Sequence, residues 1–62
     1  MQAKNTERAL RDLFLALERA GQIDAAAGVY LAASALYLPT TAWHPETRTV
    51  IAANTARRAY RA

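Results

Sequence analysis

Cysteine is missing from all 62 residues, so neither a disulfide framework nor a thiolate metal site can brace this chain. Histidine occurs once, as His44, and a lone imidazole near Glu46 at a helix start reads as loop polarity rather than a catalytic pair. Glycine is limited to Gly21 and Gly28, which excludes a glycine-rich phosphate loop. The five carboxylates stand singly along the chain instead of converging. No catalytic residue, metal site, cofactor or small-molecule substrate is therefore expected, and the chain does not read as an enzyme. Long apolar runs are lacking as well. The longest, Ala25 to Leu38, covers fourteen residues and contains Gly28 and Ser34, short of the roughly 20 that span a bilayer. The first residues mix Lys4, Glu7, Arg8 and Arg11 with no apolar segment behind a basic start, unlike a secretory signal. Together with the absence of cysteine, this predicts a cytoplasmic protein without a membrane role.

Charge is scarce in the middle of the chain. Asp24 is the single ionisable group between Arg19 and Glu46 apart from His44 and the tyrosines, and no Asp, Glu, Lys or Arg lies from Ala25 to Trp43. A helix that is apolar all the way round has no side for water, so the stretch needs either a tight wrap by the rest of the chain or a partner molecule. A partner is the expectation, because a domain of about 60 residues buries only about 60% of its unfolded surface and this one has no covalent or metal staple.

The pattern predicts an all-α fold, one small domain over residues 1–62 with helices at about 6–20, 24–38 and 45–61. Asn5 or Thr6 suits the first N-cap. Leu10, Leu13, Phe14, Leu17 and Ala20 then recur on one stripe, with Arg8, Arg11, Asp12, Glu18 and Arg19 elsewhere. Leu15 falls among charged neighbours on the polar side. Gly21 suits a left-handed C′ position and Asp24 the next cap, so the first two helices fold back as an antiparallel hairpin. Helix two sets its bulk at Val29, Tyr30, Leu36 and Tyr37. Its second stripe is small, Ala25, Gly28, Ala32 and Ala35, and its third is Ala27, Leu31, Ser34 and Leu38. Pro39 is expected to stop the helix, Pro45 to open the third, and Trp43 to lid the hairpin end. Along the third helix Thr49, Ala52, Ala53, Ala56, Ala59 and Tyr60 share one face.

From Leu10 to Pro39 the hairpin resembles a single tetratricopeptide repeat, a two-helix unit of about 34 residues that stacks into binding solenoids. Leu13 and Leu17 stand at its first-helix large positions, Gly21 at its turn, Asp24 and Ala26 at an acidic-then-small pair, Tyr30 at the aromatic position and Ala33 at the small one. His44-Pro45-Glu46-Thr47, with Asn54 and Ala59-Tyr60-Arg61, looks like the opening of a second repeat of the kinesin-light-chain type. Phe14, Ser34, Arg57 and Arg58 depart from the pattern. The resemblance implies a hydrophobic face that one repeat cannot bury alone.

These observations make protein–protein interaction the expected function, with another protein or a second copy of the chain (a homo-oligomer) as partner. Leu15, Leu31, Tyr37, Leu38 and Trp43 are the expected contact residues. A second reading is a small basic nucleic-acid-associated regulator. The net charge is +3, and Arg48, Arg57, Arg58 and Arg61 form the best basic cluster. Helix two opens Asp24-Ala25-Ala26-Ala27 and offers no donors to base edges, so only helix three could approach a nucleic acid.

Overall fold

The computed structural model describes residues 3–61, with side chains from residue 4 to residue 59. It is all-α: α1 spans Ala3–Arg19, α2 Ile23–Ala35 and α3 Thr47–Arg61, with a 3-10 turn at Thr40–Trp43 before the last helix. No described residue lies in a strand. Helix α2 is central. It packs against α1 on one side and α3 on another, which explains why it shows almost no amphipathic direction while α1 is strongly amphipathic. The tight wrap thus accounts for two sides of α2, and the third is left open.

Both hairpin helices end in the same hydrogen-bonded motif. After α1, the amide of Gln22 donates to the carbonyl of Leu17 and that of Gly21 to Glu18. After α2, Leu38 donates to Ala33 and Tyr37 to Ser34. These are the paired bonds of a Schellman cap, which needs a left-handed residue at C′. Gly21 takes that place with φ 77°, as expected, but the second cap places Tyr37 there with φ 62°. Helix α2 therefore ends three residues before the expected Leu38, and the cap rather than Pro39 terminates it. Leu38 then folds in against the core, and the hydroxyls of Ser34 and Thr40, 2.9 Å apart, hold the next turn.

The other boundaries shift for similar local reasons. Helix α1 already runs at Ala3, ahead of Asn5 and Thr6, and Met1 and Gln2 lie outside the described residues. Gln22, not Asp24, is the N-cap of α2. Helix α3 starts at Thr47 instead of Pro45, because His44 adopts a left-handed conformation (φ 54°) that turns the chain first.

The core is small and aromatic. Phe14 is fully enclosed, with its ring centroid 5.9 Å from that of Tyr30 and 5.3 Å from that of Trp43. Ala26 and Ala33 complete the cluster, while Leu10, Leu15, Leu17, Val29 and Leu38 pack around it. Trp43 was expected at a contact surface and instead is core, 4% exposed. The 3-10 turn swings it inward, and its indole N–H donates to the Glu7 carboxylate at 2.7 Å. Glu7 also faces Arg11 at 3.8 Å. Trp43→Phe removes a hydrogen bond to a charged acceptor, worth roughly 1.5–3 kcal/mol. The variant is expected to lose about 2 kcal/mol of stability in urea unfolding, and an unchanged midpoint would show that bond to be idle.

Helix α3 meets α2 through Thr49, Ala53 and the half-buried Ala52 and Ala56, the small face expected of it. Ala59 is exposed, and the side chain of Tyr60 lies outside the described residues. The residue that anchors this helix comes from α1. Glu18 was expected on the polar side but is 6% exposed. Its Oε2 accepts from the Glu46 amide at 2.9 Å and from the Thr49 hydroxyl at 2.6 Å. The carboxylate therefore caps α3 from a different helix.

Candidate interaction surface

The hairpin keeps one broad face uncovered. On α1, Ala9, Leu13 and Ala16, with Ala20 just past its end, follow one another at helical spacing and all are exposed. On α2, Ala25, Gly28, Ala32, Ala35 and Leu36 do the same. The helices are antiparallel, so the start of α1 lies beside the end of α2. There an open groove of about 520 Å³ is lined by Asn5, Thr6, Ala9, Leu10 and Leu36. None of these side chains carries a charge. Leu36 is 58% exposed, and Tyr37 next to it is 95% exposed.

The glycine on the open side of α2 is not forced by the fold. A methyl group added at Gly28 would meet nothing within 4 Å, so no neighbour in the chain demands a glycine there. The same is true in a sharper way of Tyr37. A left-handed C′ position favours glycine, and an L residue there costs on the order of 1–2 kcal/mol. Tyr37 accepts that cost while its ring touches water almost everywhere. The cap hydrogen bonds and the inward turn of Leu38 offset that cost for the backbone, but nothing in the described chain packs on the exposed ring itself.

Of the five expected contact residues, Tyr37 alone is fully exposed. Leu15, Leu31 and Leu38 are half-buried, and Leu15 and Leu38 pack partly against the core. Trp43 is interior, as described. Sequence reasoning missed Leu13, assigned to the core stripe but half-exposed, and Leu36, assigned to the bulky stripe of α2. A signal for Leu13 was present. Ala9, Leu13, Ala16 and Ala20 make an apolar stripe of their own, about a quarter turn away from Leu10, Phe14 and Leu17.

Polar chemistry is sparse. Among the described residues, no group of three acidic or histidine side chains gathers as a metal site would require. No helix among them is long and apolar enough to cross a membrane. Arg48, Arg57 and Arg58 are exposed on α3, and the side chain of Arg61 lies outside the described residues. Arg48 pairs with Glu46 at 2.8 Å, and Arg57 donates to the Asn54 side-chain oxygen at 3.2 Å. Comparison with known proteins finds no match, whether to family models, to curated proteins or to solved structures.

Proposed function

We propose that the chain is a small protein–protein interaction module, which presents the uncharged outer face of its helical hairpin to another protein or to a second copy of itself. Tyr37 carries this reading: a large aromatic ring, 95% exposed, held in a backbone conformation that glycine would adopt more cheaply. Tyrosine brings wide contact area at low entropic cost and is enriched among the residues that dominate binding energy. Leu36 and Leu13 extend the apolar patch on either side of the groove. The resemblance of the Leu10–Pro39 sequence to a tetratricopeptide repeat fits the same reading, since repeats of that kind leave a hydrophobic face for a neighbour.

Tyr37→Gly separates the two roles of this position. Relief of the left-handed strain, less the entropy that glycine loses on folding, should raise stability by about 0.5–1 kcal/mol. Association should weaken by at least tenfold, or about 1.4 kcal/mol, if the ring is an anchor. Stability is read by thermal unfolding. Association is read by capture from native cells with tagged wild type, Tyr37→Gly and Leu13→Glu/Leu36→Glu, each with and without nuclease. Proteins retained by the wild type and lost by both variants support the proposal. An identical retained set for all three forms, or self-association in light scattering that ignores both variants, overturns it.

A further inference from the structure

The outward side of α3 is unlike any other surface of the molecule. Arg48, Ile51, Asn54, Thr55 and Arg58 recur along it and are all exposed, with Arg57 exposed on the adjoining flank. Helix α3 contains four arginines and no carboxylate, whereas α1 mixes Lys4, Arg8, Arg11 and Arg19 with Glu7, Asp12 and Glu18. A face made merely to keep the chain soluble would be interspersed in the same way. Helix-dipole complementarity explains arginines in the last turns but not Arg48 at the second position of the helix; its exposed guanidinium pairs with Glu46 at 2.8 Å and exchanges that partner for a phosphate on binding. Nor does solubility explain Ile51, 61% exposed in the middle of the face.

From this arrangement we infer that α3 is a binding surface for double-stranded DNA, with its outer side laid in the major groove. Charge complementarity selects a polyanion. The form of the face selects the duplex: one isolated helix side matches a groove about 12 Å wide that admits an α-helix, while the major groove of an A-form RNA duplex is too narrow to be read. Arg48 and Arg58 are ten residues apart, or about 15 Å along the axis at 1.5 Å per residue, which lets them reach phosphates at opposite ends of the contact. Between them Asn54, whose side-chain oxygen accepts from Arg57 at 3.2 Å, keeps its amide N–H groups for base edges, and Ile51 offers an apolar surface to a thymine methyl. An anionic membrane would need an apolar stripe below the charges, and that stripe of α3 is already spent on α2 through Thr49 and Ala53. Anchoring by Glu18 holds the helix in place without lending its charge to the outer side. The inference is independent of the hairpin face and of its partner.

The test is fluorescence anisotropy with the intact chain and a labelled mixed-sequence DNA duplex of about 20 base pairs, titrated at several salt concentrations. Three neutralised phosphates predict a slope near −2.7 in log K against log salt, so binding should weaken roughly 40-fold between about 50 and 200 mM salt. Arg57→Ala/Arg58→Ala, which alters only exposed side chains, should reduce that loss to roughly 3- to 4-fold and weaken binding at least tenfold at low salt. Unchanged helicity by circular dichroism confirms that the variant is folded. Three results overturn the inference: no binding at low salt, a variant as salt-sensitive as the wild type, or an RNA duplex or polyglutamate that binds as tightly as DNA.

Discussion

Replacing Phe14 with alanine is expected to abolish cooperative folding. Phe14 is the largest fully enclosed side chain, and it is the one ring that contacts both Tyr30 and Trp43. Removing a buried phenylalanine costs about 3–5 kcal/mol, the transfer of its atoms plus the cavity they leave. At roughly 0.05–0.15 kcal/mol per residue, a chain of this size has only about 3–9 kcal/mol in total. Without a disulfide or a metal it belongs to the lower part of that range. The loss therefore equals most or all of the stability, and the surrounding Leu10, Leu15, Leu17, Val29 and Leu38 are held by their own helices and cap and can close only part of the gap. Circular dichroism should show a broad, shallow thermal transition in place of a sigmoid. Phe14→Leu, which keeps part of the volume, should still fold, with a melting temperature lowered by roughly 5–15 °C for about 1–2 kcal/mol. A cooperative melt of the alanine variant within a few degrees of the wild type would mean that the core is held together elsewhere.

What could be read from the chain and what could not divides along local and tertiary lines. Gly21 was readable because a helix stop, a left-handed residue and a two-residue connection are all local, and the hairpin followed from it. The small face of α3 was readable because Thr49, Ala53 and Ala56 keep helical spacing. Tyr37 was not, since a tyrosine at a left-handed cap contradicts its own propensity and nothing nearby announces it. Trp43 was misplaced because its burial depends on a 3-10 turn and on Glu7, 36 positions earlier in the sequence. The exposed hairpin face was hidden for a different reason. An apolar residue looks the same in sequence whether it faces a core or a partner, so Leu36 could not be told from a core leucine before the helices were packed, and only the separate stripe of Ala9, Ala16 and Ala20 set Leu13 apart from Leu10 and Leu17. The surface on which the functional proposal rests joins Tyr37, expected as a contact residue but not at a left-handed cap, with Leu13 and Leu36, which were assigned elsewhere.

Glu18 is the second residue whose loss should be severe, and the reason is again long-range. Helix α3 is weak at its start, with Thr47, Thr49, Val50, Ile51 and Thr55 β-branched within its first nine residues. Its start needs help from outside. In a capping box the N3 side chain returns to the N-cap amide; here N3 is Thr49, and Glu18 from α1 accepts from both its hydroxyl and the Glu46 amide through one oxygen. The carboxylate also sits at the positive end of the α3 dipole. Glu18→Ala leaves two donors without their acceptor, the Thr49 hydroxyl in a buried site and the Glu46 amide in a partly buried one, at about 1–3 kcal/mol for the buried donor and less for the other, so a loss of about 3 kcal/mol is expected in urea unfolding. Hydrogen exchange should show the amides of α3 losing protection ahead of those in the hairpin. Glu18→Gln discriminates charge from geometry. Its amide oxygen can still meet both donors, and neutral bonds are roughly half as strong as charge-assisted ones, so it should cost about 1–1.5 kcal/mol. Thr49→Val removes one donor and keeps the volume. In a double-mutant cycle with Glu18→Ala, its effect should shrink by about 1 kcal/mol or more, because the hydroxyl no longer has a carboxylate to meet. Additive losses would show that the two side chains stabilise α3 separately, and the cap across helices would then lose its explanatory role.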